Sequence, residues 1–141
     1  MGSASRRPLG RRLTGTLGVM PIVDVELVTR PNGAVPAGLA QSLADAVGGT
    51  LNSPAGQTWV RLHLLSREHY AENGSPLEIS ELPVFVTVLK RSTPVGSELE
   101  AEVSTLTQVI AKVLGRAASC VHIEYAPAAS GRLSFGGKLV E

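Results

Sequence analysis

The chain is poor in the residue types that would mark it as a disulfide-linked, metal-bound or membrane-embedded protein. Its 141 residues include one cysteine, Cys120, which excludes an intrachain disulfide framework and a cysteine-rich zinc site and fits a reducing compartment. No apolar run approaches the ~18–20 residues that span a bilayer. Aromatic residues make up only 4%, but 43% hydrophobic beside 18% charged residues is ordinary globular composition and excludes a disordered tail protein.

Net charge is also nearly absent, since the sequence has thirteen basic and twelve acidic side chains, which gives a formal charge of +1. The distribution is uneven, because residues 1–19 hold four of the basic side chains, all arginine, and none of the acidic ones. The rest of the chain is therefore mildly acidic and lacks the positive surface that phosphate neutralisation requires. We expect neither a nucleic acid nor a membrane as partner.

The first nineteen residues are rich in Gly, Ser, Pro and Arg and lack the ~7–15-residue apolar core of a secretory signal. We interpret residues 1–19 as a flexible basic leader, either disordered or the product of a mis-assigned start. The alternative is a functional arm, in which Arg6–Arg12 tether the protein to an anionic partner. The length of the remainder predicts a single domain over residues 20–141.

Hydrophobic spacing predicts a strand, a helix and a second strand in the first half of that domain. Residues Pro21–Val28 alternate between apolar and polar, which is typical of a half-buried strand. Pro36 is well placed to begin a helix, and apolar residues then recur at helical spacing as far as Leu51. A second strand is predicted at Thr58–Leu65, and residues 66–82 read as a polar linker.

The same order of elements recurs in the second half. An apolar strand at Pro83–Leu89 is followed by a helix, for which Ser97 and Glu100 predict a capping box. Gly115 predicts the left-handed end of that helix. Cys120–Tyr125 is the fourth predicted strand. The glycines and apolar pairs of residues 131–140 predict a short closing hairpin.

Two spacings indicate that the chain contains two copies of one strand–helix–strand unit, over about residues 21–70 and 83–141. Pro21 and Pro83 are 62 residues apart, and Arg61 and His122 are 61 apart. Each strand–helix–strand crossover predicts parallel strands, so we expect an α+β fold with a four-stranded sheet and both helices on one face. The other sheet face would carry a polar set that favours cover by further copies in a homo-oligomer. That set is Asp24, Glu26, Trp59, Arg61, His63, His122 and Glu124.

Three segments resemble the tautomerase superfamily, typified by 4-oxalocrotonate tautomerase and macrophage migration inhibitory factor. They are Met20-Pro21-Ile22-Val23, Val60-Arg61-Leu62 and the closing run from Gly131 to Lys138. Two β-α-β units in one chain are similar to the fused branch of that superfamily. The resemblance implies a homotrimer arranged around a barrel of sheets.

The resemblance also implies a catalytic base at Pro21. An N-terminal proline carries a secondary amine, and burial and nearby cations lower the pKa of such a group towards working pH. Translation from Met20, followed by removal of that methionine, would expose Pro21. As written, however, the Pro21 nitrogen is a tertiary amide and not a base. Pro83 is internal in either case, so we expect it to be structural.

Four residues are candidates for binding substrate. The resemblance places Arg61 where an arginine polarises substrate, and its guanidinium offers paired hydrogen bonds to a carboxylate or enolate; the alternative is an ion pair with an acid such as Glu124 across an interface. Arg30 ends the first strand, one residue from the family's carboxylate-binding arginine, and Arg91 is its counterpart in the second unit. A solvated strand-end charge is the alternative for both. Tyr125 is expected to wall a pocket or to pack in the core.

The predicted function is that of a cytosolic, cofactor-free isomerase acting on a small carboxylate, which tautomerises a 2-oxo acid or its enol. His122 at the repeat position of Arg61 predicts one kind of competent pocket per chain. Phe135 is expected to cover a neighbour's pocket or simply to pack. We expect no metal site. The alternatives are a dehalogenase, hydratase or decarboxylase of small unsaturated acids, or a non-catalytic trimer whose leader blocks Pro21.

Overall fold

The computed structural model describes residues 20–76 and 82–141. The predicted leader, residues 1–19, lies outside the described residues, as do residues 77–81 of the linker. The described residues form six strands and two helices. In chain order these are β1 Ile22–Thr29, α1 Leu39–Thr50, β2 Trp59–Ser66, β3 Val84–Leu89, α2 Gly96–Leu114, β4 Val121–Tyr125, β5 Ser134–Phe135 and β6 Lys138–Leu139.

The four long strands form one mixed sheet in the order β2-β1-β3-β4. Each predicted crossover unit contributes a parallel pair, β1 with β2 and β3 with β4. The two units join through an antiparallel ladder in which Ile22 opposes Leu89 and Leu27 opposes Val84. The predicted α+β sheet is confirmed, and the central pairing brings the end of β3 to the beginning of β1.

One hydrophobic layer lies between the sheet and the two helices, which also contact each other. Alternate strand positions and one stripe of each helix fill it, because side chains repeat every two residues in a strand and about every 3.6 in a helix. Burial of each such side chain stabilises the fold by about 1.5–3 kcal/mol. The residues at most 3% exposed include Val23, Val25, Leu27, Val84, Val86, Val88, Leu43, Val47, Leu106 and Ile110.

The structural repeat is one residue shorter than the spacing of the two prolines. Val23 and Val84 are both fully buried and are paired with Val60 and Val121 in the two parallel ladders. These matched positions are 61 residues apart, like Arg61 and His122. Pro83 is therefore not the counterpart of Pro21; its carbonyl accepts a hydrogen bond from the Val28 N–H at 3.1 Å, consistent with a structural role.

Both predicted helix beginnings are wrong, and in both cases a glycine is the reason. Gly38, with φ of 81°, precedes α1, so Pro36 lies outside the helix. Gly96, with φ of 61°, is the first residue of α2. Ser97 thus lies in the first turn, and the residue before the helix is Val95, whose apolar side chain makes no capping hydrogen bond, because a capping side chain belongs to the residue that precedes the helix.

The predicted endings agree with the structure. Gly115 ends α2 with φ of 66°, and the N–H of Arg116 bonds to the Ala111 carbonyl. The closing hairpin forms from β5 and β6, with Gly136 and Gly137 both at positive φ in its two-residue turn. In the described part of the chain, neither helix is long and apolar enough to cross a membrane.

Candidate active site

Pro21 lies immediately before β1 and is buried. Its carbonyl accepts a hydrogen bond from the Trp59 N–H at 3.0 Å, which extends the β1–β2 ladder by one step. Met20 precedes it with φ of 42° and is 1% exposed. A left-handed φ is uncommon for a residue other than glycine. The peptide link from Met20 holds the Pro21 nitrogen as an amide, so this form of the chain has no basic nitrogen there.

An aromatic pair lies beside the start of β1. Trp59 opposes Ile22 in the parallel ladder. Its indole stacks on the ring of Phe135, with ring centroids 4.7 Å apart and an interplanar angle of 28°. The closing hairpin therefore packs against the end of the sheet where Pro21 lies. Within one chain, Phe135 covers Trp59.

A buried charged cluster of Lys90, Glu102 and Tyr125 occupies the end of β3. The Lys90 Nζ lies 2.8 Å from the Glu102 Oε1, and the side chains are 9% and 16% exposed. The Tyr125 hydroxyl donates to the Glu102 Oε2 at 2.5 Å. Burial, followed by this hydrogen bond to a carboxylate, raises the pKa of Tyr125. Tyr125 thus holds Glu102 instead of presenting a free hydroxyl.

The charged cluster adjoins Pro21. Ile22 opposes Leu89 in the antiparallel β1–β3 ladder, so one further step places Pro21 next to Lys90. Residues directly opposite each other in such a ladder share a face, with Cβ atoms about 4.5–5.5 Å apart. Pro21 and Lys90 both continue the alternation of buried positions in their strands.

The two strand-end arginines lie at opposite ends of the sheet. Arg91 follows Lys90, and its Nε donates to the carbonyl of Glu141. Arg30 is exposed after the last residue of β1, which places it roughly 25–30 Å from Pro21 at ~3.3 Å per residue. Within one chain, Arg91 therefore lies at the end of the sheet where Pro21 is, and Arg30 lies at the other end.

Arg61 lies on the open face of the sheet, away from the helices. Its Nε and Nη2 donate to the two carboxylate oxygens of Asp24 at 2.6 and 2.8 Å, and the side chains are 64% and 34% exposed. The hydrogen bond from Arg61 lowers the pKa of Asp24, with a smaller contribution from His63 at 3.8 Å. Within the chain, the ion pair of Arg61 is thus formed with its neighbour across the ladder, and a pair with Glu124 of another copy stays a prediction. Since Pro21 follows the buried alternation, Arg61 and Pro21 of one chain lie on opposite faces.

Comparison with known proteins by sequence gives no match to a family model and none to a curated protein. Solved structures do match. The wild-type fused 4-OT Q0, a symmetric trimer, has 20% identity and a TM-score of 0.65 over 84% of this chain and 94% of that one. Macrophage migration inhibitory factor from Oncomelania hupensis has 16% identity and a TM-score of 0.63 over 85% and 97%.

A third match is FG41 malonate semialdehyde decarboxylase inhibited by 3-bromopropiolate, at 20% identity and a TM-score of 0.60 over 82% and 88% of the two chains. All three likenesses extend over both β-α-β units and not one of them. The chain has the tautomerase-superfamily fold.

The sequence did not single out two residues of the charged cluster, Lys90 and Glu102, although both carry a signal. Lys90 continues the buried alternation of Val84, Val86 and Val88, so its side chain is directed towards the helices. Glu102 falls on the apolar stripe of α2, four residues before Leu106. A lysine and a glutamate on two facing apolar surfaces predict a buried pair.

The repeat position of Arg61 on the open face carries an aromatic contact. His122, at the repeat position of Arg61, contacts the ring of Phe85 at 5.3 Å between centroids, and Phe85 contacts Tyr70 at 5.8 Å. The two halves of the tautomerase fold have therefore diverged in chemistry. Within residues 20–76 and 82–141, no three His, Cys, Asp or Glu side chains are grouped to hold a metal ion.

Proposed function

We propose that this protein is a cofactor-independent isomerase that converts the enol of a small 2-oxo acid to its ketone, with the free amine of Pro21 as base. The observation that carries this proposal is the position of Pro21 in a tautomerase fold: it stands buried at the start of β1, one register step beyond the Ile22–Leu89 pair that leads to Lys90.

The proposed reaction needs one proton and no external reactant. The amine takes the proton from the enol oxygen while the C–O double bond forms, and the resulting ammonium delivers a proton to the carbon beside the new carbonyl. The Pro21 amine must therefore be neutral at working pH. Burial disfavours an ammonium at this position, because the charged form loses its water. The ammonium of Lys90 also opposes a further positive charge, and the carboxylate of Glu102, 2.8 Å from it, offsets part of that effect.

The proposal requires a form of the chain in which Pro21 is the N-terminal residue. While Met20 is attached, the nitrogen lone pair is delocalised into the Met20 carbonyl. Removal of Met20 would also vacate the volume of a methionine side chain that is 1% exposed. The proposed active form therefore begins at Pro21 and gains both a base and space beside it.

We propose a homotrimer in the cytosol, in which Arg61 serves the pocket of a neighbouring copy. Arg61 lies on the face opposite its own Pro21, so it can reach such a pocket only across an interface. The open face that carries it is largely polar and ion-paired, and one matched structure of this fold is a symmetric trimer. On this proposal Arg61 and Arg91 bind a carboxylate or carbonyl oxygen, and Arg30 belongs to the far end of the sheet.

The test compares chains beginning at Met20 and at Pro21. Ketonisation of phenylenolpyruvate or 2-hydroxymuconate is followed by absorbance, with the buffer rate as reference. The Pro21 form should exceed buffer by several orders of magnitude, and the Met20 form should not. A Pro21 form with the buffer rate contradicts the isomerase proposal. Malonate semialdehyde and 3-haloacrylates in the same series distinguish a decarboxylase or dehalogenase.

A non-catalytic trimer is the second candidate, because Met20 is buried and joined to Pro21 by a peptide bond. In that case the chain keeps Met20 in its native host. The intact mass of the protein from that host distinguishes the two candidates, since a mass that includes Met20 supports the non-catalytic trimer and a mass beginning at Pro21 supports the isomerase.

A further inference from the structure

We propose that Lys90 binds the carboxylate of the substrate beside Pro21. This assignment rests on the proposed function, which requires a small acid at Pro21. It adds to the candidate site a binding residue from the second β-α-β unit of the same chain.

The backbone register supports the placement of Lys90 beside Pro21. The β1–β3 ladder pairs Ile22 with Leu89, and its continuation sets Pro21 against Lys90 on the same face. The Lys90 carbonyl accepts a hydrogen bond from the Ala129 N–H at 2.8 Å, so the backbone at this point is held on its far side. The backbone of Lys90 is thus held by the residues that follow β4, one register step beyond the last pair of the β1–β3 ladder.

The hydrogen-bonding capacity of Lys90 also supports the assignment. An ammonium has three N–H donors, and Glu102 accepts one of them at 2.8 Å. Glu102 also accepts from Tyr125, so the position of its carboxylate is fixed from two sides. The Lys90 side chain is 9% exposed. A buried ammonium with two further donors is an anion-binding group, because a charged donor without enough acceptors is costly to bury.

The local charge bears on the assignment as well. Lys90 and Glu102 carry opposite charges that balance within the cluster. Arg91 adds a positive charge at this end of the sheet, where its Nε donates to the carbonyl of the acidic residue Glu141. Neither Arg30, at the far end of β1, nor Arg61, on the opposite face, supplies that charge within the chain.

The repeat shows that this arrangement is specific to the second unit. At the structural offset of 61 residues, the counterpart of Lys90 is Thr29 and that of Tyr125 is Leu64. The first unit therefore places no ammonium at the end of its central strand. The charged cluster lies at the end of the sheet where Pro21 is, and at that end alone among the described residues.

The experiment measures anion recognition separately from isomerisation. The Pro21 form is treated with 3-bromopropiolate or with its neutral amide, and the rate of the N-terminal adduct is followed by mass spectrometry. A free amine adds to the triple bond of either reagent, but only the acid offers a carboxylate to Lys90. Wild type should prefer the acid, and Lys90→Met should lose about 10- to 100-fold in the acid rate with the amide rate unchanged.

Three variants separate binding from folding. Lys90→Met/Glu102→Gln leaves no buried charge unpaired and should show the same selective loss. Lys90→Arg should restore the preference for the acid. Lys112→Met, at an exposed lysine of α2, should leave both rates unchanged.

Each outcome has a distinct meaning. Equal preference for the acid in wild type and in folded Lys90→Met/Glu102→Gln overturns the role of Lys90. A wild type that prefers the acid through Lys90 but ketonises no enol supports that role and contradicts the isomerase proposal. No adduct with either reagent shows that the Pro21 amine is not nucleophilic, and both proposals then fall.

Discussion

Separating the buried pair of Lys90 and Glu102 should destabilise the protein far more than separating the exposed pair of Arg61 and Asp24. The side chains of the first pair are 9% and 16% exposed at 2.8 Å, whereas those of the second are 64% and 34% exposed at 2.6 Å. Removing one partner of a buried pair leaves a charge without compensation and costs about 3–5 kcal/mol. An exposed pair contributes about 0–1 kcal/mol.

We therefore expect Lys90→Met and Glu102→Gln each to lower the free energy of unfolding by about 3–4 kcal/mol, a large share of the ~5–15 kcal/mol typical of a domain. The double variant should lose about 2–3 kcal/mol less free energy of unfolding than the sum of the two single variants, because the second substitution removes the charge that the first one left unpaired. Arg61→Met should leave the free energy of unfolding almost unchanged, because solvent screens a fully exposed ion pair.

Urea unfolding followed through the fluorescence of Trp59, the one tryptophan of the sequence, measures all four changes. Equal slopes with urea concentration are needed for the comparison, since a changed slope reports a changed extent of unfolding. Costs below 1 kcal/mol for both members of the buried pair, with strictly additive effects, would refute the burial argument.

Three further predictions follow from named contacts. Asp24 has a lower pKa in the folded than in the unfolded chain, so its contribution to the free energy of unfolding is complete above the unfolded pKa and is lost as pH falls through the folded pKa. Asp24→Asn should therefore make the free energy of unfolding depend less on pH in the acid range. Hydrogen bonding to Glu72 raises the pKa of Tyr70 to about 12, and the pKa of Tyr125 is also raised, so ultraviolet absorbance should show almost no tyrosinate at pH 10.5 in the folded state and normal titration in urea. Phe135→Ala should shift the emission of Trp59 to longer wavelength, because the indole loses its stacking partner; an unchanged spectrum contradicts that contact.

The sequence alone predicts which side chains lie on the buried face of the sheet and that the β-α-β unit is repeated. Both features depend on the local alternation of apolar and polar residues. Val23 and Val84 begin alternating runs, and an alternating run has one buried side wherever it pairs. The beginnings of the helices depend on backbone handedness at Gly38 and Gly96. A glycine populates both signs of φ, so the residue type does not reveal which one the chain adopts.

The grouping of the candidate site could not be read from spacing. Arg30 and Arg91 occupy matched places in the two units, and the sequence does not say which of them meets Pro21. The antiparallel β1–β3 ladder decides this, because it sets the end of β3 against the beginning of β1. Lys90 and Arg91 thereby lie at the end of the sheet where Pro21 is. Long-range pairing of this kind arises from tertiary packing and not from local pattern.

The account depends most on the Pro21 amine being neutral at working pH. Its most direct test is an NMR titration of 15N-labelled proline in the chain that begins at Pro21, with the same chain unfolded in urea as reference. The account predicts that the Pro21 amine has a lower pKa in the folded chain than in the unfolded one, because burial disfavours its ammonium form. A folded amine whose pKa equals or exceeds the unfolded value would contradict it.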